Sequence, residues 1–472
     1  MRSTVQQVVR GYRITFVNTH HNHNRLLQFT DLPSFHTQFP NFHFASISDG
    51  IPDDHPRHGA LMNYLPLLIT PSARSLCAKE FRDLFLKLAV ENKNGEWQPP
   101  SCIIADGLMS TIALSVSQEL QIPFIAFRTY SATCTWVTIH LSRLFQEGVL
   151  LRNNEENMQN VPVSIPGLEN LLRLCDLPSY LTLLTDMSLN RDFYIEETLA
   201  MTQASALLLN TFEQLESSII TKLASIFRKV YSIGPLHTLC RTIFTRKSCS
   251  LEKDGHTRKD DKSCITWLDH QKAKSVLYVS FGTVVRLSHE QLLELWYGLV
   301  NSLKPFLWVI EKELINGEDG IDSHVPMELK MGTKERGFLV HWAPQEEVLA
   351  HPAVGGFLTH SGWNSTLECI TEGVPMLCWP SIADQTVNSR CVSEQWRIGL
   401  NVNEKCDRLI VEKMVREIME NQMEELMKSA KEIAEKARDS VKENGSSYHN
   451  LEKLFKDFVA IVPITTATKQ FL

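Results

Sequence analysis

Residues 342–385 read WAPQEEVLAHPAVGGFLTHSGWNSTLECITEGVPMLCWPSIADQ, from Trp342 to Gln385, and this stretch decides the fold. Two apolar strand-like runs, Gly355-Gly356-Phe357-Leu358-Thr359 and Val374-Pro375-Met376-Leu377-Cys378-Trp379, each end in polar residues and then a helix pattern. In an open parallel sheet such strand-to-helix turns line the crevice that takes ligands. The first turn, His360-Ser361-Gly362-Trp363-Asn364-Ser365-Thr366, has small residues that let backbone N–H groups approach an anion. The helix N-terminus behind it adds about half a positive charge, so a phosphate fits there without a lysine. Trp342 offers a flat stacking face, and Glu368 sits one turn into the helix as a hydroxyl acceptor. Asp384 and Gln385 stand at the next helix start, suited to the hydroxyls of a sugar. Stacking, phosphate and hydroxyl groups in one stretch read as a nucleotide-sugar site.

The rest of the chain sets the frame for that site. At 472 residues it is too long for one core, and two domains of about 200 residues each are expected. Hydrophobic residues make up 43% and charged residues 21%, the balance of an ordinary soluble globular protein. A formal charge of −7 argues against nucleic acid or an anionic membrane as the main partner. No apolar run reaches the ~18 residues of a membrane span. The opening MRSTVQQVVRGYRITF lacks the apolar core of a signal peptide. Eleven cysteines, an odd number with no C-x-x-C pair, suit a reducing compartment. A cytoplasmic location is expected.

In the first half, Arg13–Asn18 and Phe42–Ile47 read as strands. His20-His21-Asn22-His23-Asn24 between them lacks the Cys or carboxylate spacing of a metal site and reads as a polar loop. Asp49 to Met62 is a long Asp-, Pro- and His-rich loop. Ser101–Gly107 is a buried-strand run that ends in Asp106, with Ser110 placed to cap the next helix. Asp106 therefore faces the crevice side of the sheet, as a functional carboxylate or as a loop-fixing one. Ile122–Phe127 is another strand, followed by a helix from about Ser131 to Glu147 that Gly148 stops. Ala206–Asn210 and Val230–Gly234 continue the strand–helix alternation of an α/β doubly wound domain.

Residues 237–262 are polar, charged and non-periodic and read as an exposed linker. Beyond them Ser275–Thr283 runs as a strand into a Gly282-Thr283 turn, which offers an amide and a hydroxyl to a phosphate. Ser288 is placed to cap the next helix. Pro305–Ile310 and Gly337–His341 are further strands. A helix from about Asp384 to Trp396 ends near Gly399. The tail from Val411 is charged and helix-rich, and an amphipathic helix from Tyr448 to Phe458 closes the pattern.

Trp342 to Gln385 closely resembles the signature box of plant UDP-dependent glycosyltransferases (glycosyltransferase family 1). The similarity extends to Ile104-Ala105-Asp106-Gly107, Leu209-Asn210-Thr211-Phe212-Glu213, Ser232-Ile233-Gly234-Pro235-Leu236, Trp267-Leu268-Asp269 and Asn444-Gly445-Ser446-Ser447. Asp49 to Arg57 and Ala126 to Ala132 look like members that glucosylate 7-deoxyloganetic acid and related small terpenoids. The resemblance implies a GT-B fold, two facing Rossmann-like doubly wound domains. These would be an acceptor-binding domain over 1–236, a linker over 237–262 and a UDP-sugar-binding domain over 263–445. A C-terminal helix and tail over 446–472 would pack back on the first domain.

By resemblance, Trp342 stacks on uracil and Ala343 contacts its edge through the backbone. Gln345 and Glu368 bind the ribose hydroxyls. His360, Asn364, Ser365 and Thr283 hold the diphosphate, and Trp363, Asp384 and Gln385 contact the sugar. Glutamine at the last box position implies UDP-glucose as co-substrate, with no metal and no other cofactor. The implied reaction is inverting transfer of glucose to a hydroxyl or carboxyl of a small lipophilic acceptor, by a monomer.

One departure stands out. A hydroxyl acceptor needs a base, which in the family is a histidine oriented by an aspartate. The aspartate matches Asp106. The histidine follows the family's first strand in a Gln-Gly-His turn, and neither that strand nor that turn is matched. The first domain is expected to lack its usual first strand, leaving its neighbours with unpaired edges and an apolar gap. The second reading is therefore a chain that binds UDP-sugar but is truncated or inactive. His20, His21 and His23 follow the adjacent strand, displaced by about 4.8 Å, so any of them could serve as base only through a rearranged loop. A Rossmann dehydrogenase is set aside, because no G-x-G-x-x-G follows a strand.

Overall fold

The computed structural model describes residues 12–29, 32–52, 55, 64–90, 100–149, 161–178, 187–245, 262–282, 287–310, 326–402 and 407–461. The chain divides into two compact units. Unit 1 comprises Met1–Ser142, Leu184–Asp260 and Ser440–Leu472, and unit 2 comprises Arg143–Leu183 and Asp261–Asp439. Arg143–Leu183 thus gathers with unit 2 although it lies between two stretches of unit 1 in the chain.

Unit 1 begins with β1 (Ile14–Thr19) and α1 (His20–Phe29). The histidine cluster therefore opens a helix and is not the polar loop expected from its composition. Next come β2 (Phe42–Ile47), α2 (Pro71–Val90), β3 (Ile103–Asp106) and α3 (Ser110–Leu120). Ser110 is the first residue of α3, and its hydroxyl donates back to the Gly107 carbonyl at 2.8 Å. β4 (Phe124–Arg128) leads into α4 (Ala132–Gln146), and the positive φ of Gly148, 70°, marks its end. α5 (Met187–Thr202), β5 (Ala206–Leu209), α6 (Glu213–Leu223), β6 (Val230–Ser232) and α7 (Leu236–Thr245) follow. α7 occupies the start of the expected linker, and residues 246–261 lie outside the described ones.

Among the described residues all strand pairing in unit 1 is parallel. Among the described residues the strands form two sheets, β1-β2 and β3-β4-β5-β6. β1 and β3 thus each have a hydrogen-bonded neighbour on one side only. Apolar side chains there stand open: Ile14 and Phe16 are each 47% exposed and Ile104 is 54% exposed. The four-stranded sheet has a core of Ile125, Ala206, Leu208, Tyr231 and Ile233.

Unit 2 contains β7 (Val276–Ser280), α8 (His289–Asn301), β8 (Phe306–Val309), β9 (Gly337–Val340) and α9 (Gln345–Ala350). β10 (Val354–Thr359), α10 (Trp363–Glu372), β11 (Met376–Cys378) and α11 (Gln385–Arg390) follow. β12 (Gly399–Asn401), α12 (Arg408–Arg416) and α13 (Met423–Ser440) complete it. Ser288 caps α8 by accepting from the Gln291 N–H at 3.2 Å, as expected. The six strands form one parallel sheet in the order β9-β8-β7-β10-β11-β12. That is the 3-2-1-4-5-6 order of a doubly wound nucleotide-binding sheet. Its core runs through Leu277, Val279, Trp308, Leu358 and Leu377.

The last helix, α14 (Ser446–Ile461), belongs to unit 1. Leu454 joins the core of the four-stranded sheet, Ser447 donates to the Gly234 carbonyl at 2.5 Å, and Tyr231 donates to Asp457 at 2.6 Å.

Candidate functional site: a switch-point crevice in unit 2

Strand order reverses between β7 and β10, and ligands of doubly wound sheets bind outside the carboxyl ends of the strands at that point. β7 ends in Ser280 and passes into Gly282, whose φ is +66°. β10 ends in Thr359 and passes into His360 and Ser361, which also sits in the left-handed region at +64°. The His360 imidazole fills the space between the two turns. A Cβ on Gly282 would stand 2.9 Å from His360 Cε1, and one on Gly362 would stand 2.4 Å from Nε2. Both positions therefore need glycine. Burial pushes the His360 pKa down to about 4, opposed in part by a backbone hydrogen bond at Ser280. The ring is neutral near pH 7, and its Nδ1 is buried without a hydrogen-bond partner among the described residues. A ligand oxygen there would satisfy it.

Gly362 is the N-cap of α10 and has no side chain to close the helix end. The first N–H groups of that helix, from Trp363 onward, thus keep their capacity to donate. They supply what a diphosphate needs, together with the exposed Asn364 and the half-buried Ser365. Thr283 lies outside the described residues.

Beside this anion site stands a polar pair. Gln345, the first residue of α9, donates from Nε2 to Glu368 Oε2 at 2.6 Å and to Ser365 Oγ at 3.0 Å. Tyr278, buried in β7, donates its hydroxyl to Gln345 Oε1 at 3.3 Å. Glu368 and Gln345 are therefore brought together. Trp342 is half-buried in the turn after β9, and Ala343 is buried.

The third set lies at the start of α11. Asp384 accepts from Asn388 Nδ2 at 2.7 Å, and Asn388 also donates to the Ser361 carbonyl at 3.0 Å. Asn388 ties α11 to the anion turn. It stands one turn after Asp384 (i, i+4), a spacing that could have flagged it in the sequence. Gln385 accepts from the Ser381 and Ile382 N–H groups, each at 2.9 Å, which leaves its Nε2 for a ligand. Trp363 is the first residue of α10. Its indole is 3% exposed and packs near Trp396, ring centroids 6.1 Å apart. A sugar would meet its backbone more readily than its ring.

Residues 161–177 brace α11 within unit 2. Thr386 donates to the Leu177 carbonyl at 3.0 Å, and Arg390 donates to the Leu171 carbonyl at 2.7 Å. Asp176 accepts from Arg173 Nε at 2.8 Å and faces Arg390 Nε at 3.5 Å.

In unit 1, Asp106 closes β3 and caps the short turn that follows. Its Oδ1 accepts from the Leu108 N–H at 2.9 Å and its Oδ2 from Thr129 Oγ1 at 3.1 Å. These two bonds hold the turn that follows β3. His20 turns Nδ1 to Ser46 Oγ at 2.9 Å, with Nε2 3.8 Å from Glu80.

A parallel doubly wound unit with an uncapped helix end at its switch point is the arrangement that receives the phosphates of a nucleotide. The family model described as "UDP-glucoronosyl and UDP-glucosyl transferase" matches residues 161–437, and the chain belongs to that family as a UDP-glycosyltransferase. It is 44% identical over 446 residues to the 7-deoxyloganetic acid glucosyltransferase of Catharanthus roseus, covering 93% of this chain and 90% of that protein. It is 38% identical to the 7-deoxyloganetin glucosyltransferase of Gardenia jasminoides, covering 94% and 91%. Os79 of O. sativa, crystallised with UDP, superposes with a TM-score of 0.75 at 27% identity over 97% of this chain and 96% of that one. These likenesses make the GT-B fold a finding.

Proposed function

We propose that the chain transfers glucose from UDP-glucose to a hydroxyl or carboxyl of a small lipophilic acceptor, terpenoid or phenolic, with inversion and without metal or other cofactor. The observation that carries the reading is the His360–Gly282 turn pair set against the uncapped start of α10, with Gln345 and Glu368 hydrogen-bonded beside it. The curated relatives' named glucosyl transfer to terpenoid acceptors supports the choice of sugar and acceptor class.

In this reading Trp342 stacks on the uracil, the Ala343 backbone meets its edge, and Gln345 and Glu368 take the ribose hydroxyls. His360, Asn364, Ser365, Thr283 and the α10 N–H groups hold the diphosphate. Asp384, Gln385 and the Trp363 backbone hold the glucose. The acceptor oxygen forms a bond to C1 of the sugar as the C1–O bond to phosphate breaks, and the electron pair leaves on UDP. Charge grows on the leaving diphosphate, where preorganised donors stabilise it most. A carboxyl acceptor is already ionised near pH 7. A hydroxyl acceptor must lose a proton, and Asp106 is the carboxylate we assign to orienting its base. Among the described residues no helix is long and apolar enough to cross a membrane, and we assign a cytoplasmic monomer.

The test is to incubate the full chain with UDP-glucose and a panel of terpenoid and phenolic acceptors and to identify products by mass. One added hexose with stoichiometric UDP release is expected. Intact UDP-glucose with every acceptor would overturn the reading.

A further inference from the structure

Arg128 is the last residue of β4, at the carboxyl end of the unit 1 sheet where a doubly wound unit meets its ligand. Its side chain is 3% exposed, and its Nε and Nη2 atoms are buried with no hydrogen-bond partner among the described residues. The stem runs directly over Gly107. A Cβ there would stand 2.4 Å from Arg128 Cδ and 2.5 Å from Nη1, so the residue after Asp106 must be glycine for the arginine to fit. The guanidinium lies over the Tyr130 ring, 4.4 Å from its centroid. Tyr194 of α5 is buried and near enough for the arginine's charge to oppose the rise that burial imposes on its phenol pKa.

No carboxylate among the described residues answers this charge. Asp106, one strand away, has turned its oxygens to Leu108 and Thr129. Glu197 is taken by Arg74 and Thr111, and Glu216 by Ala132, Thr133 and Thr211. A guanidinium does not shed its proton, so burial cannot neutralise it as it would a lysine or histidine. A buried charge lacking an anion is costly. The missing anion is supplied most simply by the ligand, and the planar fork of N–H donors matches a carboxylate at two points. Two tyrosine rings beside it suit an apolar body on that carboxylate.

We propose that Arg128 determines acceptor specificity by pairing with a carboxylate carried by the acceptor, so that the preferred acceptors are small lipophilic acids. The proposal rests on the glucosyltransferase reading for the word acceptor, but its test reads binding and does not need turnover.

Calorimetric titration of UDP-saturated protein with 4-hydroxycinnamic acid and 8-hydroxygeranic acid, each against its methyl ester, is the experiment. The acids are expected to bind about 10- to 100-fold more tightly than the esters, the usual effect of a charged hydrogen-bonded pair. Arg128→Met should abolish that preference, with UDP affinity retained as the check on folding. Equal binding of acid and ester by the wild type, or an acid preference that survives in Arg128→Met, would overturn the proposal. If the methionine variant does not fold, Arg128→Lys takes its place. It keeps the charge and loses the fork, and an acid preference equal to that of the wild type would then count against pairing at two points. Acid preference without glucose transfer would sink the enzymatic reading alone, and glucose transfer without acid preference would sink this one alone.

Discussion

The imidazole of His360 lies on the α-carbon of Gly282, so close that a single methyl group at residue 282 would stand 2.9 Å from the ring. Two strands far apart in sequence thereby fix one histidine at the point where the sheet order reverses. Gly282→Ala should therefore act twice. Its φ of +66° disfavours any Cβ, and the new methyl pushes the ring out of the anion turn. A loss of about 1–3 kcal/mol in stability is expected, with weaker UDP binding, read by chemical denaturation and calorimetry.

Glu368 and Gln345 form a bonded pair, 2.6 Å apart. Glu368→Ala removes a charged acceptor and leaves Gln345 held by Ser365 and Tyr278. UDP affinity should fall by about 1–3 kcal/mol, while the melting temperature moves little. An unchanged dissociation constant would contradict the ribose role.

Two half-buried histidines contribute to the pH dependence of stability. Burial, opposed at His360 by Ser280 and reinforced at His237 by Arg241, holds both at about 4, against 6.5 unfolded. The folded state then binds fewer protons, so stability is full above pH ~6.5 and is lost as pH falls towards ~4, by at most about 3 kcal/mol per group. Denaturation midpoints measured between those limits should decline with falling pH. His237→Phe should flatten part of that slope, leaving the share that belongs to His360.

Exposure separates two isoleucines of the unit 1 sheet. Ile104 on β3 is 54% exposed, whereas Ile125 on β4 is fully buried. Ile104→Thr should change stability by less than about 0.5 kcal/mol, and Ile125→Ala should cost about 2–5 kcal/mol. Urea unfolding of the two variants distinguishes them.

Much of unit 2 was legible in the sequence because its strands are buried on both faces and read as unbroken apolar runs, as at Val276–Ser280 and Val354–Thr359. The turn after β10 was legible from Gly362 and the helix pattern that starts behind it. The His360–Gly282 contact was not, since it depends on which strands become neighbours. Nor was the burial of Trp363, whose partner Trp396 lies outside the box. The helix over His20–Phe29 escaped notice because a polar, histidine-rich segment has no apolar stripe to reveal it. Arg128 lies one residue beyond the strand expected over Ile122–Phe127, and its lack of a partner among the described residues becomes visible when the burial around it is known.

The central claim is that the switch-point crevice of unit 2 binds a UDP-sugar, and titration of UDP into the full-length chain tests it most directly. The account predicts one site per chain, with an affinity that drops at least about tenfold, the factor that corresponds to 1.4 kcal/mol, in Glu368→Ala. Absence of binding in a folded protein, or binding that Glu368→Ala leaves intact, would contradict it.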